Sequence, residues 1–281
     1  MPGAEQKRGM VMRDADGVAT LAAAGPDPGG SRQTIDFLGI RVDVLDTDGL
    51  RERVLALARQ QGPHRVMYVN ADCMLIAGKN AAYREALNRA DLVYADGIGV
   101  VLGARLWGHR LPGRSTGADF MPGFCRDFAG HGIRLFLLGA RQGVAAAAAR
   151  RLCEQAPGLQ VVGTHHGYFR PEESGRIIGQ INRARPHVLL VGMGAPCQEL
   201  WIDGHSHELR VPVLWGVGGL FDFLSGRTRR GPQWLLDHGF EWLCRLLVEP
   251  RRLWRRYLIG NVRFVFHVLW RRYAAGDRDR E

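Results

Sequence analysis

Residues 133–167 read IRLFLLGARQGVAAAAARRLCEQAPGLQVVGTHHG, and the pattern of this stretch indicates the fold of the chain. The apolar run 133–139 predicts a buried strand, the alanine-rich segment 144–156 predicts a helix, and residues 159–167 predict a second strand. A strand that is apolar at nearly every position is covered on both faces, and a helical crossover makes the two strands parallel. The stretch therefore predicts a strand–helix–strand unit of a parallel sheet.

The same alternation continues along the chain on both sides of this unit. Further apolar strands are predicted within RVMYVN (65–70), DLVYA (91–95), HVLLVGMG (187–194) and VPVLWGVG (211–218), with helical patterns between them. A strand or hairpin at 37–46 and a helix at 47–60 precede them. We expect an α/β, Rossmann-like fold over residues 34–232, with a mostly parallel sheet and helices on both faces.

Two segments flank this core. Residues 1–33 are rich in glycine, alanine, proline and aspartate and carry no recognisable secretory signal, so we expect a mobile N-terminal tail. Residues 233–281 show helical patterns with many tryptophans and arginines and no strand pattern, which predicts a helical appendage. No uncharged apolar run reaches the length that a membrane-spanning helix needs.

The charge of the chain is unusual. Lysine and arginine number 38 against 28 acidic residues, for a net charge of +10, and nearly all of these cations are arginine. The planar guanidinium suits phosphates and phospholipid headgroups, so partners that carry phosphate are favoured. The five cysteines are scattered, which favours a reducing compartment, and Cys197 with His205 and His207 fits no common zinc spacing. We predict no metal site and no cofactor.

Polar residues and glycines follow the predicted strands, at the point where each strand ends. Because parallel strands end at one edge of the sheet, these residues should converge at the edge where open α/β sheets bind ligands. They are Asn70, Asp96, the glycine turn 139–143, the stretch 164–169, Gln198 and Asp222. The convergence predicts a ligand site at this edge.

Several of these residues also have a purely structural interpretation. Asp96 precedes a helical pattern and could be its N-cap, while Asn70 could be a turn residue. Gln198 and Glu199 follow Pro196 in a first helical turn, where Glu199 could complement the helix dipole.

Two features that could bind phosphate also have a purely structural interpretation. The turn from Gly139 to Gly143 could hold a phosphate at a helix N-terminus, but it lacks the G-x-G-x-x-G spacing and could be a plain turn. Arg114 lies in a loop between glycines, where its guanidinium could bind a diphosphate or be solvated.

The appendage combines basic and apolar residues. Between residues 245 and 272 there are eight arginines and one acidic residue, and a helix from 251 would place Arg252, Arg256, Arg263 and His267 on one face. This pattern is typical of a helix that lies on an anionic membrane, although its apolar face could instead pack on the core. An alternative is a nucleic-acid- or membrane-binding α/β protein without catalytic activity. The absence of a recognisable nucleic-acid-binding fold argues against nucleic acid, and the missing dinucleotide fingerprint argues against an oxidoreductase.

Ordered blocks of the sequence resemble a known family. VNADCMLIAG (69–78), ADLVYADGIGVV (90–101), GRSTGAD (113–119), LLVGMGAPCQELW (189–201), GVGGLFDFLSGRTRRGPQW (216–234) and GFEWLCRLLVEPRRLWRRY (239–257) resemble the blocks of the WecG/TagA/CpsF family, glycosyltransferase family 26. The resemblance covers residues 34–273. It implies an inverting, metal-independent transfer of a sugar of the ManNAc, ManNAcA or Glc type from a UDP-sugar to a polyprenyl-diphosphate-linked sugar. It places the reaction in cell-surface polysaccharide biosynthesis, at the cytoplasmic face of the membrane.

The resemblance also implies roles for particular residues. It places Asp96 as the general base, and it links Asn70, Arg114 and Gln198 to catalysis or substrate binding. Such a transfer needs a base for the acceptor hydroxyl and positive or hydrogen-bonding groups for the departing UDP. The substrate-binding residues are predicted to be Tyr68, Arg114, Gly139, Asp222, Arg252, Arg255 and Arg256.

Two positions depart from the family pattern. Tyr68 stands where threonine is usual, and Cys197 stands where lysine is common, which removes a positive charge near the site. The expected partners are the UDP-sugar donor, the lipid-linked acceptor and an anionic membrane surface, with no nucleic acid. The oligomeric state is left open, with a homo-oligomer among the alternatives.

Overall fold

The computed structural model describes residues 32–228, 231, 235, 241–248 and 250–278. For residues 241, 245, 248, 252, 256 and 274–278 it describes the backbone alone. The predicted N-terminal tail, residues 1–33, therefore lies outside the described residues except for its last two positions.

Six parallel strands form the central sheet, in the order β4-β3-β8-β7-β5-β6. Their bounds are β3 His64–Val69, β4 Leu92–Ala95, β5 Arg134–Gly139, β6 Gln160–His165, β7 Val188–Gly192 and β8 Val213–Gly216. Every residue of β4, β7 and β8 is buried, and because successive side chains point to opposite faces, both faces are covered. The prediction of an α/β fold with a parallel sheet is confirmed.

The helices of the core fall into two groups that pack on the sheet. The bounds are α1 Thr47–Ala58, α2 Ala71–Ala77, α3 Ala81–Asn88, α4 Ile98–Leu106, α5 Gly117–Gly130, α6 Val144–Gln155, α7 Ser174–Ala184, α8 Cys197–His205 and α9 Leu220–Leu224. Helices α1, α5, α6 and α9 contact one another in turn, as do α2, α3 and α8. The helix predicted from Pro171 begins with a 3-10 turn over Pro171–Glu173 before α7.

An antiparallel hairpin stands beside the end of the sheet. It comprises β1 Thr34–Phe37 and β2 Ile40–Asp43. The buried Asp43 accepts a hydrogen bond from the Val93 N–H through Oδ2 at 2.7 Å, which ties the hairpin to β4. The hairpin thereby satisfies a backbone donor on the edge strand that leads to Asp96.

The C-terminal segment is helical over its described residues, as predicted. It comprises α10 Glu241–Val248, α11 Pro250–Trp254, a π-helical turn Arg255–Ile259 and α12 Gly260–Arg278. Phe264 and Val268 are buried where α12 packs against α2 and α4. The Trp107 indole donates to the Val268 carbonyl at 3.2 Å, which fixes α12 beside the end of α4. Among the helices that the structure describes, none is both long and apolar enough to cross a bilayer.

Candidate functional site

Two cavities meet at the carboxyl ends of β3 and β4. The larger, about 1100 Å³, spans the loops that follow the strands of the sheet. The smaller, about 260 Å³, lies between α4 and the C-terminal helices. Asn70 and Asp96 line both cavities, so a reaction between ligands in the two would take place at these side chains.

Asp96 is held in place through its backbone. Its N–H donates to the Val69 carbonyl at 3.0 Å, and its carbonyl accepts from the Thr116 hydroxyl at 3.3 Å. The N-cap residue of α4 is Gly97, so the interpretation of Asp96 as the cap of that helix is wrong. The carboxylate is instead part of the lining where the cavities meet.

Asn70 combines a structural contact with a position in the site. Its Oδ1 accepts hydrogen bonds from the backbone N–H groups of Asp72 and Cys73, both at 3.1 Å, and so caps α2. Because the helix uses the oxygen, the amide NH₂ is the group that Asn70 can present to a ligand. It is more than a turn residue.

Gln198 lies beneath the larger cavity. It is fully buried, and its Oε1 accepts from the N–H groups of Gly194 at 3.2 Å and Gly218 at 2.8 Å. Gly194 and Gly218 belong to the loops that follow β7 and β8 and line this cavity. Gln198 thus holds the two loops at the edge of the cavity, and its predicted link to catalysis or substrate binding stays a prediction.

Glu199 supports Gln198 from inside the protein. Its Oε1 accepts from Gln198 Nε2 at 2.8 Å, while its Oε2 is buried and has no hydrogen-bond partner. Burial raises the pKa of Glu199 to about 7, and the hydrogen bond from Gln198 partly opposes that shift. The residue is in the first turn of α8, but its surroundings exclude a simple surface interaction with the helix dipole.

Tyr68, Cys197 and Asp222 line the larger cavity. The Tyr68 hydroxyl lies against Gly218, whose φ of +58° suits glycine and where an added Cβ would collide with that hydroxyl. Cys197 is exposed at the start of α8. Asp222 lies in the first turn of α9, with the Arg227 guanidinium 3.9 Å from its Oδ1.

The glycine turn after β5 contributes through Ala140. Gly139 has a φ of +151°, and a Cβ there would collide with the Gly192 backbone, so glycine permits the close approach of β5 and β7. Ala140 follows it and lines the larger cavity, as Gly192 also does. Gly139 thus shapes the cavity, although among the described residues it does not itself line either cavity.

Arg114 is part of the smaller cavity, beside Asp96. The next residue, Ser115, is buried; its N–H donates to the Ala95 carbonyl at 2.8 Å, and its hydroxyl lies 3.0 Å from that of Thr47. These contacts anchor the loop to β4. Arg114 is therefore a half-buried residue of the site and not a solvated surface arginine.

The predicted arginines of the appendage are only partly visible. Arg255 is exposed, with its guanidinium 5.2 Å from the centre of the Trp254 ring. The side chains of Arg252 and Arg256 lie outside the described residues. Leu253, which follows Arg252, is buried and lines the larger cavity, so α11 reaches the site.

An aromatic cluster lines the larger cavity; its residues 168 and 169 belong to the stretch predicted to converge at this edge, whereas Trp201 was not predicted. Tyr168, Phe169 and Trp201 line it, and Phe169 makes an edge contact with Trp201 at 6.3 Å between ring centres. Phe169 and Tyr168 follow β6 at the same edge of the sheet as Asp96. In the described part of the chain no group of three or more His, Cys, Asp or Glu side chains is placed to hold a metal ion.

A second aromatic group underlies the junction of the cavities. Trp215 stacks on Phe120 at 5.8 Å and donates to the Tyr94 hydroxyl at 3.3 Å. Burial, with a smaller contribution from the charge of Asp96, raises the pKa of Tyr94 far above its ordinary value. Tyr94 is therefore a neutral phenol in the wall of the larger cavity.

Comparison with known proteins gives a consistent match. Residues 35–278 match the family described as Glycosyl transferase WecG/TagA/CpsF family. A protein of Bacillus subtilis (strain 168) named N-acetylglucosaminyldiphosphoundecaprenol N-acetyl-beta-D-mannosaminyltransferase is 32% identical over 190 residues, 68% of this chain and 73% of the relative. A protein of the same name from Staphylococcus aureus (strain NCTC 8325 / PS 47) is 29% identical over 223 residues, 79% of this chain and 87% of the relative. The family match spans every residue that lines either cavity.

Proposed function

Because the chain belongs to the WecG/TagA/CpsF family of glycosyltransferases, we propose that it moves an N-acetylmannosamine-type sugar from a UDP-sugar to polyprenyl-diphosphate-linked N-acetylglucosamine. The names of the relatives favour this pair over ManNAcA or glucose donors, since those names specify N-acetylmannosaminyl transfer to an N-acetylglucosaminyl diphosphate lipid. The family assignment also favours a transferase over the nucleic-acid-binding alternative.

The observation that carries the proposal is the position of Asp96 between two cavities. A transferase must bring two substrates to one base, and the side chain of Asp96 lines both spaces. The larger cavity has the volume for a nucleotide sugar, whereas the smaller one adjoins the C-terminal helices and suits the acceptor.

The reaction is a single displacement at C1 of the donor sugar. The Asp96 carboxylate takes the proton from the acceptor hydroxyl while the acceptor oxygen forms its bond to C1. The bond between C1 and the UDP oxygen breaks, and UDP leaves with the electron pair. Attack on the side opposite to the leaving group inverts the configuration at C1.

The departing diphosphate needs positive charge or hydrogen-bond donors. Arg114 lines the smaller cavity together with Asp96, so it supplies positive charge close to where the two cavities meet. Arg252, Arg255 and Arg256 extend this basic character into the appendage. These cations support a transfer that does not depend on a metal ion.

The acceptor's lipid places the enzyme at the membrane. A polyprenyl diphosphate is confined to the bilayer, so the appendage, with its arginines and exposed Trp254 and Leu258, is assigned to docking on an anionic surface at its cytoplasmic face. The polar loops of the sheet then face the UDP-sugar in the cytoplasm.

A screen of UDP-sugars against lipid-diphosphate-linked GlcNAc and Glc tests the proposal. We expect turnover with UDP-N-acetylmannosamine and the GlcNAc lipid, a product of inverted configuration by NMR, and the same rate in excess EDTA. Turnover of another donor sugar would correct the specificity. Loss of turnover in EDTA that Mg²⁺ or Mn²⁺ restores would contradict metal independence, and no turnover with any pair would overturn the proposal.

A further inference from the structure

Helix α4 leaves a row of large apolar side chains uncovered. Ile98, Leu102 and Leu106 recur at intervals of four residues and are 37, 53 and 43% exposed. Residues at this spacing lie on one face of a helix. The row begins two residues after Asp96 and runs away from it along the helix.

The row forms one wall of the smaller cavity. Phe264, Val265 and Val268 of α12 form the other wall, and Val265 is itself 51% exposed. The helices approach closely because α4 has glycine at 103, where an added Cβ would lie 2.8 Å from the ring of Phe37 and 3.3 Å from that of Phe264. The smaller cavity is thus an apolar channel with Asp96 and Asn70 at one end and exposed leucines along its side.

Exposed arginines lie at the end of the channel that is away from Asp96. Arg105 at the end of α4 and Arg271 and Arg272 of α12 are exposed, and the Arg272 guanidinium also contacts the Leu106 carbonyl. The sequence has no acidic residue from 97 to 118 or from 250 to 276. An apolar channel with basic residues at the end away from Asp96 complements a prenyl chain that extends from an anionic bilayer.

Resting on the proposed function, we propose that the smaller cavity binds the first isoprene units of the acceptor's polyprenyl chain. The prenyl chain lies between α4 and α12, and the sugar hydroxyl of the acceptor reaches Asp96. Because Leu102, Leu106 and Val265 are exposed, the lipid enters sideways through the gap between the helices, without leaving the apolar phase completely. The alternative is that a second copy of the protein covers the α4 row, but such an interface would not need a channel that ends at Asp96.

The test measures binding separately from turnover. Calorimetry without membranes or detergent would give the Kd of the full chain for prenyl diphosphates of one to four isoprene units, below their micelle concentrations. We expect the Kd to tighten by about tenfold for each added unit until the channel is full, because each unit removes apolar surface from water. If the chain remains outside, the Kd stays the same at every length.

Two matched variants locate the site. Leu102→Gln should abolish the increase in affinity with chain length, whereas Leu200→Gln should keep it, since Leu200 is 36% exposed but lies outside the lining of both cavities. Both substitutions are at exposed positions, and equal thermal midpoints would show that folding is intact. If the Kd of the Leu102→Gln variant tightens with chain length as that of the wild type does, the proposal is overturned.

Further outcomes distinguish the lipid site from an interface between copies and from a failure of the proposed function. If Leu102→Gln converts a dimer to a monomer in sedimentation, the α4 row is an interface between copies and the lipid assignment is wrong. If prenyl chains bind with the expected gain but no donor sugar is transferred, the proposed function fails and the lipid site stands. If transfer occurs but chain length changes neither Kd nor KM, the lipid site fails alone.

Discussion

Asp96 illustrates how a single carboxylate acquires its proposed function from its neighbours. The N–H of Asp96 is bonded to β3 and its carbonyl to Thr116, so the residue is fixed where the two cavities meet. The N-cap position of α4 is Gly97, one residue after Asp96. A base between two substrates needs this combination of a rigid backbone and access from both sides.

We predict that Asp96→Asn lowers turnover by roughly a hundredfold or more, the usual scale for a lost general base. The amide has the same shape but cannot take the proton, so the Kd for UDP and the thermal midpoint should not change. Steady-state kinetics with UDP titration measure both. Asp48→Asn, at an exposed carboxylate of α1 outside both cavities, is the control. A folded Asp96→Asn variant with a near wild-type rate would show that Asp96 is not the general base.

Glu199 gives the fold a pH dependence of its own. Its ordinary pKa is 4.5, and burial raises the pKa to about 7 in the folded chain. Between these values the unfolded chain releases a proton that the folded chain keeps, so stability is greatest below about 4.5 and falls as pH rises towards 7.

We predict that Glu199→Gln removes the loss of stability that occurs as pH rises. The glutamine oxygen can still accept the hydrogen bond from Gln198, but the amide does not ionise. The free energy of unfolding of the wild type should fall by roughly 3 kcal/mol relative to the variant between pH 4.5 and 7.5. Urea unfolding of both proteins across this range gives the difference. A difference that does not change with pH would show that the buried carboxyl does not titrate there.

At the level of the helices and strands, local pattern was enough to find the elements but not their arrangement. The apolar run at 187–192 predicted a buried strand, and β7 is Val188–Gly192, because burial on both faces leaves a direct mark on sequence. No local pattern records that β7 and β8 lie between β5 and β3. The smaller cavity was also unpredictable, since α4 and α12 are far apart in the chain.

The sequence predicted which residues lie near the candidate site better than it predicted where their side chains point. Asn70 and Asp96 were expected from their positions after strands, and the structure places both at the junction of the cavities. Gln198 was linked to catalysis or substrate binding, and α8, which packs against β3, β7 and β8, directs that side chain under the loops. Which side of a first helical turn faces a sheet depends on tertiary packing, and spacing in the sequence does not show it.

The loop between β8 and α9 offers a test of element geometry. Gly218 adopts a φ of +58°, its N–H donates to Gln198, and an added Cβ would collide with the Tyr68 hydroxyl. We predict that Gly218→Ala costs at least about 1 kcal/mol of stability and weakens UDP binding. Gly204→Ala in α8, where an added Cβ meets open space, should do neither.

The same collision predicts how the Gly218→Ala variant can be rescued. Adding Tyr68→Phe removes the hydroxyl but leaves the unfavourable φ, so part of the lost stability should return. Denaturant unfolding of the two single variants and the double variant yields the coupling between the residues. Purely additive effects would show that the Tyr68 hydroxyl does not restrict this loop.

On the scale of the whole molecule, the two cavities have different surroundings. The larger is bordered by loops of the sheet, whereas the smaller is bordered by helices with exposed apolar side chains and arginines. This division suits a reaction between a water-soluble nucleotide sugar and a lipid. It also requires the protein to lie on the membrane with α12 and α4 towards the lipid.

Neutralising the appendage tests this orientation. We predict that changing Arg252, Arg255 and Arg256 together to glutamine weakens binding to anionic vesicles by roughly a hundredfold at low salt. Each basic residue near an anionic surface contributes about 1 kcal/mol before screening. Turnover of the lipid acceptor should fall with it, and by a larger factor than the affinity for UDP. Raising the salt concentration should reduce the difference between variant and wild type.

The control is a variant with the same net charge. Changing Arg53, Arg59 and Arg150, exposed on α1, at its end and on α6, to glutamine also lowers the net charge from +10 to +7. If total charge alone attracted the protein to the vesicles, both triple variants would lose affinity equally in a sedimentation assay. If the appendage is the docking surface, the control variant binds almost as the wild type does, because its changed residues face away from the bilayer. Equal binding by the two variants would therefore reject the assigned orientation, whatever the turnover of the lipid acceptor.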